Sequence, residues 1–208
     1  MTLATGTWPG FVARVATPCT PAELAQMIGD AWPAVIGGGA PGGALLACLA
    51  QILLETGTRE DPNHDGTTTD EEQASGFWNG NAGNVRGTYA GAWTSFRAGE
   101  GHGANAVILQ PGPNNRFRSY VSPTDDPTDP EVRTAAIERG VRDYLSLLDR
   151  KYPRALACAA QRDYRGFVHE LHAGGYFTAD ETAYARAEDR LRFTVENLPQ
   201  VVAFMEAA

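Results

Sequence analysis

"ALLACLAQILLETG", residues Ala44 to Gly57, decides how the rest of the chain is read. Leu45, Leu46, Leu49, Ile52, Leu53 and Leu54 cover nearly every face of a helical wheel. A helix that is apolar all round is a buried one in a globular protein of this size. Gly57 fits its C-terminal stop. The run ends in a single carboxylate, Glu55. Burial disfavours the charged form of a carboxyl, and so does the partial negative charge at a helix C-terminus. A carboxyl kept protonated near neutral pH is what a general acid requires. The competing reading is a Glu that simply reaches water as the helix leaves the core.

The composition supports a buried centre. The chain has 208 residues, 43% of them hydrophobic, and a net charge of −8. That suits one domain spanning 1–208, with a sizeable core. No block of Lys and Arg marks a nucleic-acid footprint. No apolar run reaches the roughly 18 residues needed to cross a bilayer. The start, "MTLATGTWPGFVARV", has neither a basic leader nor an apolar segment of signal-peptide length. The expectation is a protein made in the cytoplasm without a signal peptide. Cys19, Cys48 and Cys158 are scattered and odd in number, and read as buried thiols.

On either side of the central run the chain reads as helices around a small irregular lobe. Thr20, Pro21 and Glu23 form a helix start with a capping box, and Pro33 should kink or end that helix. "GGGAPGG" at 37–43 is a hinge. Residues 76–128 are dense in Gly, Asn, Thr and Pro, with β-like pieces at 106–109 and 116–122. From Asp129 to the end (129–208) the pattern is helical again. Asp129 caps a helix, Val132, Ala136, Ile137, Val141, Tyr144, Leu145 and Leu148 share a face, and Pro153 and Pro199 interrupt. The predicted class is α+β, mainly α: a helical body with a small β-containing lobe and an N-terminal extension, 1–19.

"DPNHDGTTTDEE", Asp61 to Glu72, fits D-x-[DN]-x-[DN]-G-x5-E, the EF-hand-type calcium loop. Asp61, Asn63, Asp65 and Glu72 would supply side-chain oxygens, Thr67 its carbonyl, and Thr69 a water-mediated contact. Calcium takes six to eight oxygens near 2.4 Å, and Gly66 allows the sharp turn between them. At average residue usage such a match arises by chance in about one chain of this length in a thousand. The competing reading is a solvated acidic loop. It draws on Thr68, which stands where an apolar anchor is usual, and on the absence of a paired second loop. The expected cofactor is Ca2+, in a structural role.

Four segments in order resemble the bacterial glucosaminidases of the flagellar-muramidase type, within the lysozyme-like superfamily. "LLACLAQILLETG" looks like that family's catalytic-Glu helix. "NAGNVRG", 81–87, is similar to its Asn-rich segment ahead of the β-lobe. "RFRSYVSPTDD" with the following "RDYLSLLDRKY" resembles its strand-then-helix section. "GGYFTADETAYARA", 174–187, is similar to its ending. The resemblance covers roughly 41–193 and implies a lysozyme-like fold that cleaves β-1,4 bonds of peptidoglycan glycan strands. It implies Glu55 as general acid and Tyr176 as a tyrosine shaping the catalytic subsite. Asn84, Arg86 and Gly87 would line the cleft, and Glu100 is the candidate second carboxylate. The chain departs from the family where "ESGWG" is replaced by "ETGTR". The segment 58–75 is also longer than in the family.

The remaining candidates carry two readings each. Trp78 and Trp93 could stack on sugar rings or form the small lobe's own core. His169 and His172, three apart on one helix face, could ligate zinc or be a partly exposed pair. His64 falls within the acidic loop and is expected to point outward. The expected activity is glycoside hydrolysis of peptidoglycan. Attack by water and attack by the sugar's own 6-hydroxyl, as in a lytic transglycosylase, both stay open. The alternative is a non-catalytic wall-binding or structural module of a phage tail or secretion machine. Expected partners are glycan strands, and a secretion apparatus, phage tail or immunity protein if the chain is a delivered antibacterial effector or endolysin. No nucleic acid and no membrane span are expected.

Overall fold

The computed structural model describes residues 8–17, 19–56, 78–95, 98–100, 107–126 and 128–207. The fold is α+β and mainly α. Seven helices lie among the described residues: α1 Pro21–Val35, α2 Gly42–Thr56, α3 Pro130–Lys151, α4 Pro153–Ala160, α5 Tyr164–Ala173, α6 Glu181–Val195 and α7 Pro199–Ala207. Among the same residues are four short strands, β1 Trp93–Thr94, β2 Ala98–Glu100, β3 Val107–Leu109 and β4 Phe117–Arg118. The chain divides into two compact units, Thr20–Glu55 with Val141–Ala208, and Met1–Cys19 with Thr56–Gly140.

The first of these is the helical unit. At its start the Thr20 hydroxyl accepts from the Glu23 amide at 3.2 Å, and the Glu23 carboxylate accepts from the Thr20 amide at 2.8 Å. This is the capping box, and it satisfies two amide donors at once. Pro33 lies inside α1, which ends at Val35. Every residue of α2 from Gly42 to Leu53 is buried. Leu45, Leu46, Leu49, Ile52 and Leu53 are among the largest fully buried side chains. At about 1.5–3 kcal/mol each, their burial contributes on the order of 10 kcal/mol, an upper estimate. Val141, Tyr144, Leu145 and Leu148 of α3 and Phe167, Val168 and Leu171 of α5 complete this core. Asp163 and Asp180 cap α5 and α6, accepting from Gly166 and Ala183 at 2.9 and 2.8 Å.

The other unit is held more by polar side chains than by regular structure. β1 pairs with β4 and β2 with β3, both antiparallel. The strand expected over 116–122 is only Phe117–Arg118, because the polar side chains around it engage the backbone in place of a ladder. Asn81 donates to the Arg118 carbonyl, Arg139 to the Tyr120 carbonyl and the Ser119 hydroxyl to the Val121 carbonyl. Asn79, buried and at φ 55°, ties neighbouring loops together. Its side chain accepts from the Val15 amide at 3.0 Å and donates to the Ala13 carbonyl at 3.0 Å and the Ser119 hydroxyl at 3.1 Å. Asn81 also accepts from the Val85 amide at 2.8 Å and donates to the Val85 carbonyl. Val12, Ala92, Tyr120, Val121 and Ala136 form its apolar cluster. Gly140 is required by close approach, since a Cβ there would stand 1.8 Å from the Gly80 carbonyl oxygen.

No cysteine is in a disulfide. Cys19 and Cys48 are buried as expected, while Cys158 is only half-buried, because it lies on the outer part of the short helix α4. None of the helices among the described residues is long and apolar enough to cross a membrane.

Candidate functional site

Glu55 stands in the last turn of α2, where the wholly buried stretch gives way to partial exposure. Cys48, Gln51 and Glu55, spaced three and four apart, share one face of the helix. Tyr184 and Glu188, four apart, share a face of α6. Those faces meet. The Tyr184 hydroxyl donates to Glu55 Oε1 at 2.6 Å, and Gln51 Nε2 donates to the same hydroxyl at 3.3 Å. The phenol is therefore oriented by one bond that it accepts and one that it gives. A stacked ring, Phe177, lies on Tyr184 with centroids 3.7 Å apart and planes 3° from parallel.

Burial raises the pKa of the Glu55 carboxyl above the ordinary carboxylate range, and the hydrogen bonds from Tyr184 and Gln51 pull it back in part. Burial likewise lifts the Tyr184 and Tyr176 phenols well above their usual values, with the Glu55 charge adding to both. Deeper along the same helices, burial pushes the Cys48 thiol up to about 12 and the Glu188 carboxyl up to about 7. Burial also raises Tyr144. The arrangement is a carboxyl that binds its proton more tightly than an exposed one, with one oxygen fixed and part of its surface open to solvent. Such a group can deliver a proton to a leaving oxygen. The hydrogen bond from Tyr184 then stabilises the carboxylate left behind.

No family profile matches the chain, and no curated protein matches it. Among solved structures it is similar to the catalytic domain of the autolysin Auto from Listeria monocytogenes. The identity is 16%, the match covers 87% of this chain and 84% of that one, and the TM-score is 0.49.

The residues singled out in the sequence fall in different places. Tyr176 belongs to the helical unit with Glu55, in the link between α5 and α6. It is half-buried, with Tyr152 edge-on at 5.4 Å. Asn84, Arg86, Gly87, Trp78, Trp93 and Glu100 belong to the other unit. Asn84 and Gly87 take φ of 51° and 103°, so "NAGNVRG" is a tight turn sequence. Arg86 is exposed, donates to Asn115 Oδ1 at 3.0 Å and lies 4.7 Å over the Phe117 ring. Trp93 is 1% exposed and packs against Trp8 and Phe11, which favours the core reading over the sugar-stacking one. Trp78 is half-buried, with the Arg14 guanidinium 3.3 Å from its ring centroid. Glu100 ends β2, its backbone opposite Val107.

The loop Asp61 to Glu72, with Asn63, His64, Asp65 and Thr67, lies outside the described residues. Among the described residues no group of three or more His, Cys, Asp or Glu is arranged to hold a metal ion. His169 and His172 instead meet one carboxylate. Their Nδ1 atoms lie 3.1 and 3.0 Å from the two oxygens of Glu181. Sequence reasoning missed Tyr184, Gln51 and Glu188. Tyr184 stands within the quoted "YFTADETAYARA" segment, but its role comes from facing α2 across the core, which no local spacing reports.

Proposed function

We propose that this chain is a glycoside hydrolase acting on peptidoglycan glycan strands, with Glu55 as its general acid. The observation that carries this reading is the Tyr184 hydroxyl at 2.6 Å from a carboxyl whose pKa burial has raised. The substrate class is what the resemblance of the ordered motifs, from the Glu55 helix to Tyr184, implies. Protonated Glu55 gives its proton to the glycosidic oxygen as the C–O bond breaks and positive charge grows at the anomeric carbon. Tyr184 holds Oε1 throughout, and Gln51 holds Tyr184. Tyr176 belongs to the same buried polar layer and shapes the space beside the acid. On the resemblance alone, Glu100 is the candidate second carboxylate, for stabilising the anomeric charge or activating water. The loop from Asp61 to Glu72 is proposed to bind calcium in a structural role, on the strength of its spacing.

Purified peptidoglycan digested with wild type and Glu55→Gln, followed by mass spectrometry of the products, tests the reading. New reducing ends or anhydro ends are expected from wild type, with a loss of about 100-fold or more in the variant. Glycan binding with no new ends from either protein would replace it with the wall-binding reading. Repeating the digestion and a melting curve in EDTA, and again with added Ca2+, tests the loop.

A further inference from the structure

The link from Gly174 to Asp180 joins α5 to α6 and carries an aromatic ring that the proposed reaction has not used. Phe177 is half-buried. One face lies against Tyr184 at 3.7 Å and 3°, and the His172 imidazole stands 5.1 Å from it at 34°. We propose that Phe177 is a positioning residue for Glu55, acting by holding the Tyr184 phenol in its bond to Oε1.

The restraint is steric. Rotation about the Tyr184 Cα–Cβ bond is the motion that would carry its hydroxyl off Glu55, whereas a flip about the ring axis leaves the hydroxyl in place. A parallel ring at 3.7 Å blocks the swing on its own side. Strength falls steeply once a hydrogen bond is stretched or bent, so a bond at 2.6 Å depends on that restraint. Phe177 itself is restrained through the link's two ends. Glu181 opens α6 and His172 lies in the last turn of α5, so acid and base stand at the helix ends that favour each. Glu181 takes both His169 and His172, closing the link with two contacts of 3.1 and 3.0 Å. The bracing runs from Glu181 through His172, Phe177 and Tyr184 to Glu55.

The inference rests on the proposed role of Glu55 for its meaning, but its readout is independent of activity. The groups that face Glu55 are Gln51 on its own helix, Tyr184 on α6 and Tyr176 on the link, with Cys48, Tyr144 and Glu188 deeper in the layer. A donor bond from Tyr184 favours the carboxylate, so weakening it moves the Glu55 midpoint upward.

The test is titration of Glu55 by carboxyl 13C NMR in the whole protein, assigned by its loss in Glu55→Gln. Phe177→Leu, which keeps apolar bulk without a ring, is expected to raise the midpoint by roughly half a unit. Tyr184→Phe is expected to raise it further, and the double variant to match Tyr184→Phe alone. Phe177→Trp should restore the wild-type midpoint. A melting temperature that falls in Phe177→Leu with no change in midpoint overturns the proposal, as does a double variant whose shifts add. Glu181→Gln loosens the clamp from the surface and should shift the midpoint the same way by less. It keeps the test decisive if Phe177→Leu does not fold. An inactive wild type would overturn the hydrolase reading and leave this result standing.

Discussion

Two carboxyls lie inside the helical unit, and burial raises both, but only Glu55 accepts a hydrogen bond. Glu55 stands at the mouth of the buried layer, with a phenol donating to it at 2.6 Å. Glu188 is 1% exposed, and neither of its oxygens has a hydrogen bond. The nearest cation, Arg192, keeps its Nε 3.9 Å away and spends its other nitrogens on Asp189 at 2.7 Å and Glu196 at 3.9 Å. Burial alone therefore gives a proton-holding group with nothing to do. The proposed acid differs from it by an oriented donor and partial exposure to solvent.

Loss of the Glu55 carboxyl should have the largest effect. Glu55→Gln should abolish glycan cleavage by about 100-fold or more with a small change in melting temperature. If activity persists at normal protein levels, the acid lies elsewhere. Glu188→Gln should do the reverse, sparing chemistry and changing stability. Glu188 is raised from 4.5 to about 7 in the fold. The folded state thus holds this proton more tightly than the unfolded chain does. Stability falls as pH climbs from about 4.5 to 7, and the full cost, about 3 kcal/mol, is present above that. The variant should be flatter across this window and more stable at pH 8 by urea unfolding. Equal pH slopes in the two proteins would show that Glu188 is not held this way.

Smaller effects sharpen the contrast. Tyr184→Phe removes the donor and keeps the ring. Cleavage should drop about tenfold, the cost of a hydrogen bond to a charged group, and the alkaline limb of the pH–rate profile should move up. A limb that stays put would detach Tyr184 from the acid. Gln51→Met removes the bond to the phenol and with it a carbonyl that is buried without a partner. The two effects oppose, so stability should change by less than about 1 kcal/mol while the pH–rate profile shifts slightly in the Tyr184→Phe direction.

Much of the helical architecture was legible because its signals are local. Thr20, Pro21 and Glu23 announce a helix start, Asp129, Asp163 and Asp180 each precede another, and the Leu-rich run from Leu45 to Leu53 can only be a buried helix. Glu55 stood out because it closes that run, and its proposed role came from the resemblance. Glu188 did not stand out. "ARAEDRLRF" reads as a charged, solvated helix surface, and its burial depends on which helix it faces. Tyr184 and Gln51 were hidden for the same reason, since their pairing joins positions more than a hundred residues apart. The polar lobe was read as irregular, yet Asn79 and Asn81 looked like ordinary turn residues. Their role as buried ties appears only once the strands they join are in place. Trp93 could be read two ways because an aromatic in a Gly-rich lobe has the same sequence signature whether it meets sugar or core.

The all-round burial of α2 also has a consequence for synthesis. Residues 42–53 leave the ribosome with no side of the helix suited to water, and the partners from Val141 onward in their unit follow only on the order of 100 residues later. At about 5–20 residues per second, that leaves this segment unsheltered for roughly 5–20 s. Slow translation through the intervening stretch, or a shortage of chaperones that shield apolar segments, should lower the soluble yield of this chain before any change in its finished stability is felt.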